Sequence, residues 1–198
     1  MVHRKNQPRR DSGRMTAQDW IDAALTAIGE GGLTAVAVEP LAKRLGTTKG
    51  SFYWHFPNRD ALIEAALSHW EEANTEHVIA AVEPEPDPQR RLRSLFKAVP
   101  AAATTGDPIE VTLLTSISHP QVAAVLRRVT ERRIAFVTQI FTDLGFPADE
   151  AHRRGVLVYT AHLGQIQLIH AVPQALPSDI DGQRRYLDTL LRTLTSKG

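Results

Sequence analysis

Apolar residues recur along this chain at spacings of three and four, and no stretch alternates apolar with polar residues between hairpin turns. The pattern predicts an all-α protein. The first helix is expected over residues 16–32, with Trp20, Ile21, Ala24, Leu25 and Ile28 on one stripe and Thr16 and Asp19 forming a capping box. A second covers 38–45, with Leu41, Ala42 and Leu45 inward. Pro40 is tolerated in its first turn, where the amide it lacks would have had no intrahelical partner. A short third helix follows over 49–56, capped by Thr48 and halted by Pro57. Asn58 then caps a long fourth helix, 59–82.

The run Glu83-Pro84-Glu85-Pro86-Asp87-Pro88 breaks this periodicity, because alternating proline and acid neither continues a helix nor packs. It divides the chain into a flexible basic arm at 1–15, a domain at 16–82 and a C-terminal domain at 83–198. The helix at 59–82 then reads as the single long rigid element touching both halves. Asp87-Pro88 and Asp107-Pro108 are start signals for two further helices, the first expected to kink or stop near Pro100. Residues 121–144 carry the core stripe Val122, Leu126, Val129, Phe136, Ile140 and Leu144. Gly145-Phe146-Pro147 ends that helix and restarts another reaching Ala171. A last helix is expected over 182–195, about nine in all.

Composition narrows the chemistry. The 198 residues are 42% hydrophobic and 23% charged, enough for a packed core and unlike a disordered chain. The absence of cysteine excludes a disulfide framework, a thiolate nucleophile, a zinc knuckle and a Cys-ligated iron–sulfur cluster. The N-terminus has charge but no apolar h-region, so a cytoplasmic setting is expected. The most apolar stretch, 155–172, is interrupted by Thr160, His162, Gln165, Gln167 and His170 and reads as a buried helix rather than a membrane span. Residues 1–60 hold nine Lys or Arg against six Asp or Glu, a balance of +3, while the rest of the chain, with fourteen against sixteen, carries −2. Positive charge gathered at one end points to a polyanion partner.

Two short helices joined through Leu45-Gly46-Thr47-Thr48 match a helix-turn-helix, with 49–56 as the reading helix. Phe52 and Phe56, four apart, face the core and leave Lys49, Gly50, Ser51, Tyr53, Trp54 and His55 outward. Lys and Ser donate to base edges or phosphates, Gly50 lets backbone approach, and Tyr53 and His55 reach phosphates. The competing reading is that Tyr53, Trp54 and His55 cap a small core. The run Ala42-Lys43-Arg44-Leu45-Gly46-Thr47-Thr48-Lys49-Gly50-Ser51-Phe52-Tyr53-Trp54-His55-Phe56-Pro57-Asn58-Arg59-Asp60-Ala61-Leu62 resembles the signature of the TetR family of bacterial repressors, over roughly 16–67.

The resemblance implies a dimeric all-α DNA-binding protein that meets a palindromic double-stranded operator, with a divergent C-terminal domain binding an effector. It makes Thr47, Thr48, Lys49, Gly50, Ser51, Tyr53, Trp54 and His55 the DNA-facing set, Arg59 the basic residue opening the fourth helix, and Thr16 with Arg14 a further backbone anchor. The chain departs from the family pattern at Ala37 and Val38, where hydroxyl residues are frequent, and at Glu39, an acid close to DNA. The basic arm, Arg4, Lys5, Arg9, Arg10 and Arg14, reads either as a minor-groove arm or as a solubilising tail.

Beyond residue 83 the effector site is argued from residue type. Tyr159, His162, Gln165 and Gln167 are polar groups on an apolar helix, with Phe96, Leu113, Phe136 and Ile140 as possible walls. The same His and Gln residues fit a dimer seam instead, beside Ala161, Gly164 and Leu168 and, on the last helix, Leu187 and Leu191. His69 and His77, like His162 and His170, are eight apart and too distant to share an ion, and no HExxH, GxxxxGK, GxGxxG or GxSxG motif occurs. No cofactor and no enzymatic activity is expected. An architectural DNA-binding protein without a ligand and an all-α enzyme are the alternatives to an effector-responsive repressor.

Overall fold

Ten α-helical segments and no strand make up residues 15–104 and 109–196, the part of the chain described by the computed structural model. They are α1 (Ala17–Gly31), α2 (Val38–Arg44), α3 (Lys49–Tyr53), α4 (Arg59–Glu71), α5 (His77–Val82), α6 (Pro88–Thr104), α7 (Ile109–Thr115), α8 (Pro120–Asp143), α9 (Ala148–Ala171) and α10 (Ile180–Thr195). A π-helical turn, Glu72–Glu76, joins α4 to α5, so these two form one unbroken helical rod. The basic arm and the Asp107-Pro108 start signal lie outside the described residues. α6 continues through Pro100 to Thr104, since a proline deletes one helical hydrogen bond without obliging the backbone to leave the helix.

The helix ends follow from local chemistry. The Thr16 amide donates to Asp19 Oδ2 at 2.7 Å and the Asp19 amide returns a bond to Thr16 Oγ1 at 3.3 Å, completing the capping box on α1. The Thr16 hydroxyl, donating to the same Oδ2 at 2.6 Å, and after it the Thr16 amide hold the Asp19 carboxyl below the usual carboxylate range. Asn58 accepts from the Ala61 amide at 2.9 Å, and Asp87 from the Gln89 amide at 2.8 Å. Gly145, at φ 83°, closes α8: its amide donates to Thr142 O, the Phe146 amide donates to Phe141 O, and the two phenyl rings meet edge-on at 5.8 Å. That is a Schellman motif with its hydrophobic contact.

Two cores result, and they do not divide at the proline–acid run. The first gathers Trp20, Ile28, Leu41, Phe52, Ile63, Leu67 and Trp70 from α1 to α4, and is completed by Ile109 and Leu113 of α7 and Val122, Leu126 and Val129 of α8. The second packs Ile79, Val82, Leu92, Phe136, Ile140, Phe141, Val158 and Leu191. Each large side chain removed from water contributes about 1.5–3 kcal/mol. α8 therefore runs through both cores, and the α4–α5 rod is not the single link that the sequence pattern suggested. α9 lies closely along α8 at Gly155, where an added Cβ would fall 2.5 Å from Thr138 Oγ1 and 3.2 Å from Ile134 O. The 155–172 stretch is only half-buried: Gly155, Val158, Tyr159 and Ile166 are inside, while Leu157, Gly164, Gln167 and Leu168 are exposed.

Candidate nucleic-acid interface and ligand cavity

The turn between α2 and α3 is built around Gly46, at φ 66°. Its amide donates to Lys43 O at 3.2 Å and the Thr47 amide to Ala42 O at 2.9 Å, a second Schellman closure in a conformation that residues with a Cβ adopt at a cost. α3 is then pinned from behind. The Phe52 ring is fully buried, 5.2 Å from Trp20 edge-on and 5.8 Å from Phe56 in a stack. Burying that face forces the other outward: Thr48, Lys49, Gly50, Tyr53 and Trp54 are exposed, and Thr47, Ser51 and His55 are half-buried. Tyr53 and Trp54 remain 55% and 81% exposed; the Tyr53 ring touches the core at one edge, meeting Phe52 at 5.1 Å, and the rest of both rings is available to a partner. Thr48 sits in extended backbone at the N-cap but its side chain makes no capping bond, which leaves the hydroxyl unspent on the helix.

Two residues expected at the DNA face are engaged elsewhere. Arg59 turns inward: its Nε donates to Val36 O at 2.6 Å and its Nη2 to Leu33 O at 2.5 Å. The Val36 amide also donates to Leu33 O at 3.2 Å, so Arg59 adds a second donor there and supplies the one for Val36 O, where the chain leaves the 3-10 turn Leu33–Ala35. The Thr16 hydroxyl likewise donates to Asp19 Oδ2 at 2.6 Å. Lys49 is exposed but paired, its Nζ 3.0 Å from Glu39 Oε1, and that bond and charge raise its pKa above the ordinary lysine value. Such an exposed pair is held weakly and is readily exchanged for a phosphate.

A cavity lies between α5, the π turn, α6, α7, α8 and α9. Phe96, Phe136, Tyr159, His162 and Gln165 line it, together with Asn74, Thr75, Val78, Ile79, Leu95, Glu110, Arg133, Val137 and Val158. Leu113 and Ile140 are absent from this lining because both are fully buried in the two cores, and Gln167 faces solvent. At the polar end Arg133 Nη1 donates to Glu110 Oε1 at 2.6 Å, Nε to Thr75 Oγ1 at 3.0 Å and Nη2 to Asn74 O at 3.2 Å. The His162 Nε2 lies 3.5 Å from Glu110 Oε1. Burial pushes the Glu110 carboxyl up, but His162 and Arg133 outweigh it and hold it below the ordinary glutamate value. Tyr159 bonds Thr130 at 2.9 Å.

Residues 21–66 match the family described as bacterial regulatory proteins, tetR family. That match covers α1 through most of α4, the helix-turn-helix part of the chain. It is 31% identical over 114 residues to the HTH-type transcriptional regulator BetI of Burkholderia ambifaria, covering 55% of this chain and 57% of that protein. It thus spans little more than half the length of this relative. In fold it is similar to a transcriptional regulator from Rhodococcus sp. Rha1, with a TM-score of 0.71 at 20% identity over 91% of this chain and 94% of that one. A protein of Saccharomonospora viridis solved in complex with choline superposes with a TM-score of 0.68 at 19% identity, covering 89% of this chain and 95% of that one.

Three features beyond the matched residues escape sequence reasoning. Arg133 and Glu110 carry no local signal, and only their tertiary pairing brings them to the cavity. The π turn carries no residue signature, although Arg133 seats on its Asn74 carbonyl. Of the seam candidates, Gly164 and Leu168 are exposed, Ala161 and Leu187 half-buried, and Leu191 lies inside the second core. Among the described residues no group of three His, Asp or Glu side chains is placed to hold a metal ion, and no single helix is long and apolar enough to cross a membrane.

Proposed function

We propose that this protein is a cytoplasmic transcriptional repressor that binds a palindromic operator as a homodimer and leaves it when a small molecule enters the cavity. The observation that carries the reading is α3, a five-residue helix whose buried Phe52 aims Lys49, Gly50, Ser51 and Tyr53 away from the protein. One such helix reads only a half-site, and two copies must stand about 34 Å apart to enter successive major grooves. The exposed strip of α9, with Leu157 56% and Leu168 37% exposed, is apolar surface that a second copy would cover.

The fold neighbour solved with choline supports a small organic ligand in a scaffold of this shape. In this chain the cavity reaches the reading helices by two routes: the α4–α5 rod, whose π turn bonds Arg133, and α8, which also supports the first core. A ligand changes DNA affinity only if it binds one arrangement of those helices better than another, and DNA then weakens the ligand by the same factor. The test is selection of operator from genomic fragments, followed by titration at several salt concentrations. A palindrome bound by two protomers, with affinity falling steeply as salt rises, supports the reading; salt-independent or sequence-independent retention refutes it.

A further inference from the structure

The lining of the cavity constrains what it can hold. Glu110 and Arg133 are the only formally charged side chains that line it among the described residues, and at 2.6 Å, each 14% exposed, their charges cancel. Each nitrogen of the Arg133 side chain is engaged, by Glu110, Thr75 or Asn74, and its guanidinium lies 5.8 Å from the Trp70 ring centroid. A charged ligand entering here would lose its water without gaining a counter-charge, or would break the pair and strand one member in an apolar site. Lining groups with hydrogen-bonding capacity unspent include His162, whose Nδ1 is buried with no partner, and Gln165, which offers donors and an acceptor together. It lines the same cavity, and its carboxamide makes no hydrogen bond to another described residue, leaving two N–H donors and one carbonyl acceptor on offer. The Tyr159 hydroxyl is already held by Thr130.

We propose that the cavity takes an uncharged ligand with an apolar body and a hydroxyl, carbonyl or carboxamide head, the head bound by Gln165 and the body lying among Phe96, Phe136, Val137 and Val158. The assignment rests on the effector reading of this cavity. It excludes a quaternary ammonium of the kind bound by the fold neighbour, because the one acid present is neutralised.

The experiment titrates the full-length protein, without DNA, with four probes sharing one ring: benzamide, benzyl alcohol, benzoate and benzylammonium, followed by calorimetry. The two neutral probes are expected to bind at least about tenfold more tightly than either ion, about 1.4 kcal/mol. Gln165→Leu is expected to weaken benzamide at least fivefold with unchanged circular dichroism. Glu110→Gln frees the charge of Arg133 and is expected to reverse the preference toward benzoate. Benzoate or benzylammonium binding the wild-type protein as tightly as benzamide overturns the proposal, as does benzamide binding undiminished by Gln165→Leu, or no binding by any probe. Should Glu110→Gln fail to fold, the wild-type series and Gln165→Leu still decide. Because the readout is binding, a neutral probe that binds without releasing DNA refutes the effector reading and leaves the ligand class standing.

Discussion

Replacing Gly155 by alanine tests the packing that shapes the cavity. In an exposed helix the change would stabilise by about 1 kcal/mol, because glycine is the poorer helix former. Here the new Cβ would meet Thr138 Oγ1 at 2.5 Å, Ile134 O at 3.2 Å and Thr138 N at 3.3 Å. Two of those atoms are backbone of α8 and cannot rotate aside, so α9 must move. Overpacking of this kind costs about 1–3 kcal/mol, and the net expectation is a loss of about 1–2 kcal/mol. Thr138→Ala alone should be nearly neutral, since its buried hydroxyl has no hydrogen-bond partner. In the double variant the 2.5 Å contact is gone, and stability should recover by about 1 kcal/mol or more relative to the sum of the singles. Urea unfolding followed by circular dichroism, at one fixed protein concentration, measures all four corners of the cycle. Gly155→Ala as stable as the parent, with no coupling to Thr138, would show that α8 and α9 do not approach as described.

Three other outcomes follow from individual contacts. Arg59→Ala should destabilise the first core by about 1–3 kcal/mol by leaving the Val36 carbonyl without a donor and the Leu33 carbonyl with the Val36 amide alone, yet leave the salt dependence of DNA binding unchanged; a smaller salt slope would restore Arg59 to the DNA face. Glu110 titrates below the ordinary glutamate value of 4.5 in the folded protein, so its stabilising contribution is present above that pH and is lost as pH falls through the lower, folded value. The stability gap between wild type and Glu110→Gln should therefore narrow in acid titrations below about 4.5, and a gap independent of pH would contradict the pairing. Nothing lies within 4 Å of a Cβ built on Gly164, so Gly164→Leu should leave the protomer folded but convert dimers to monomers in light scattering; a dimer of unchanged mass removes Gly164 from the seam.

The local signals were legible in the sequence because they act over a few residues. Thr16 with Asp19, Asn58, Asp87 and Gly145 ended or started helices where their chemistry requires it, and Phe52 and Phe56 faced inward as their spacing demands. Tertiary chemistry was not legible. Arg59 reads as a basic residue beside DNA, and only the fold shows that its guanidinium turns inward to the Leu33 and Val36 carbonyls. The same holds for Arg133 and Glu110, 23 residues apart, and for Leu113 and Ile140, whose apolar character fits a cavity wall and a core equally well. The proline–acid run is a real break in the helix, but the cores ignore it because α7 and α8 return to pack under α1 and α4.

The most direct test of the account is the affinity of the selected operator for wild type, Lys49→Ala and Tyr53→Phe, measured by fluorescence anisotropy at one fixed salt concentration with dimer mass and helicity checked in parallel. Each substitution is expected to weaken operator binding by about 1–3 kcal/mol if α3 makes the base and phosphate contacts, with helicity unchanged because both side chains face away from the core. Wild-type affinity in both variants would remove α3 as the reading element, and with it the proposal that this chain reads DNA through its helix-turn-helix.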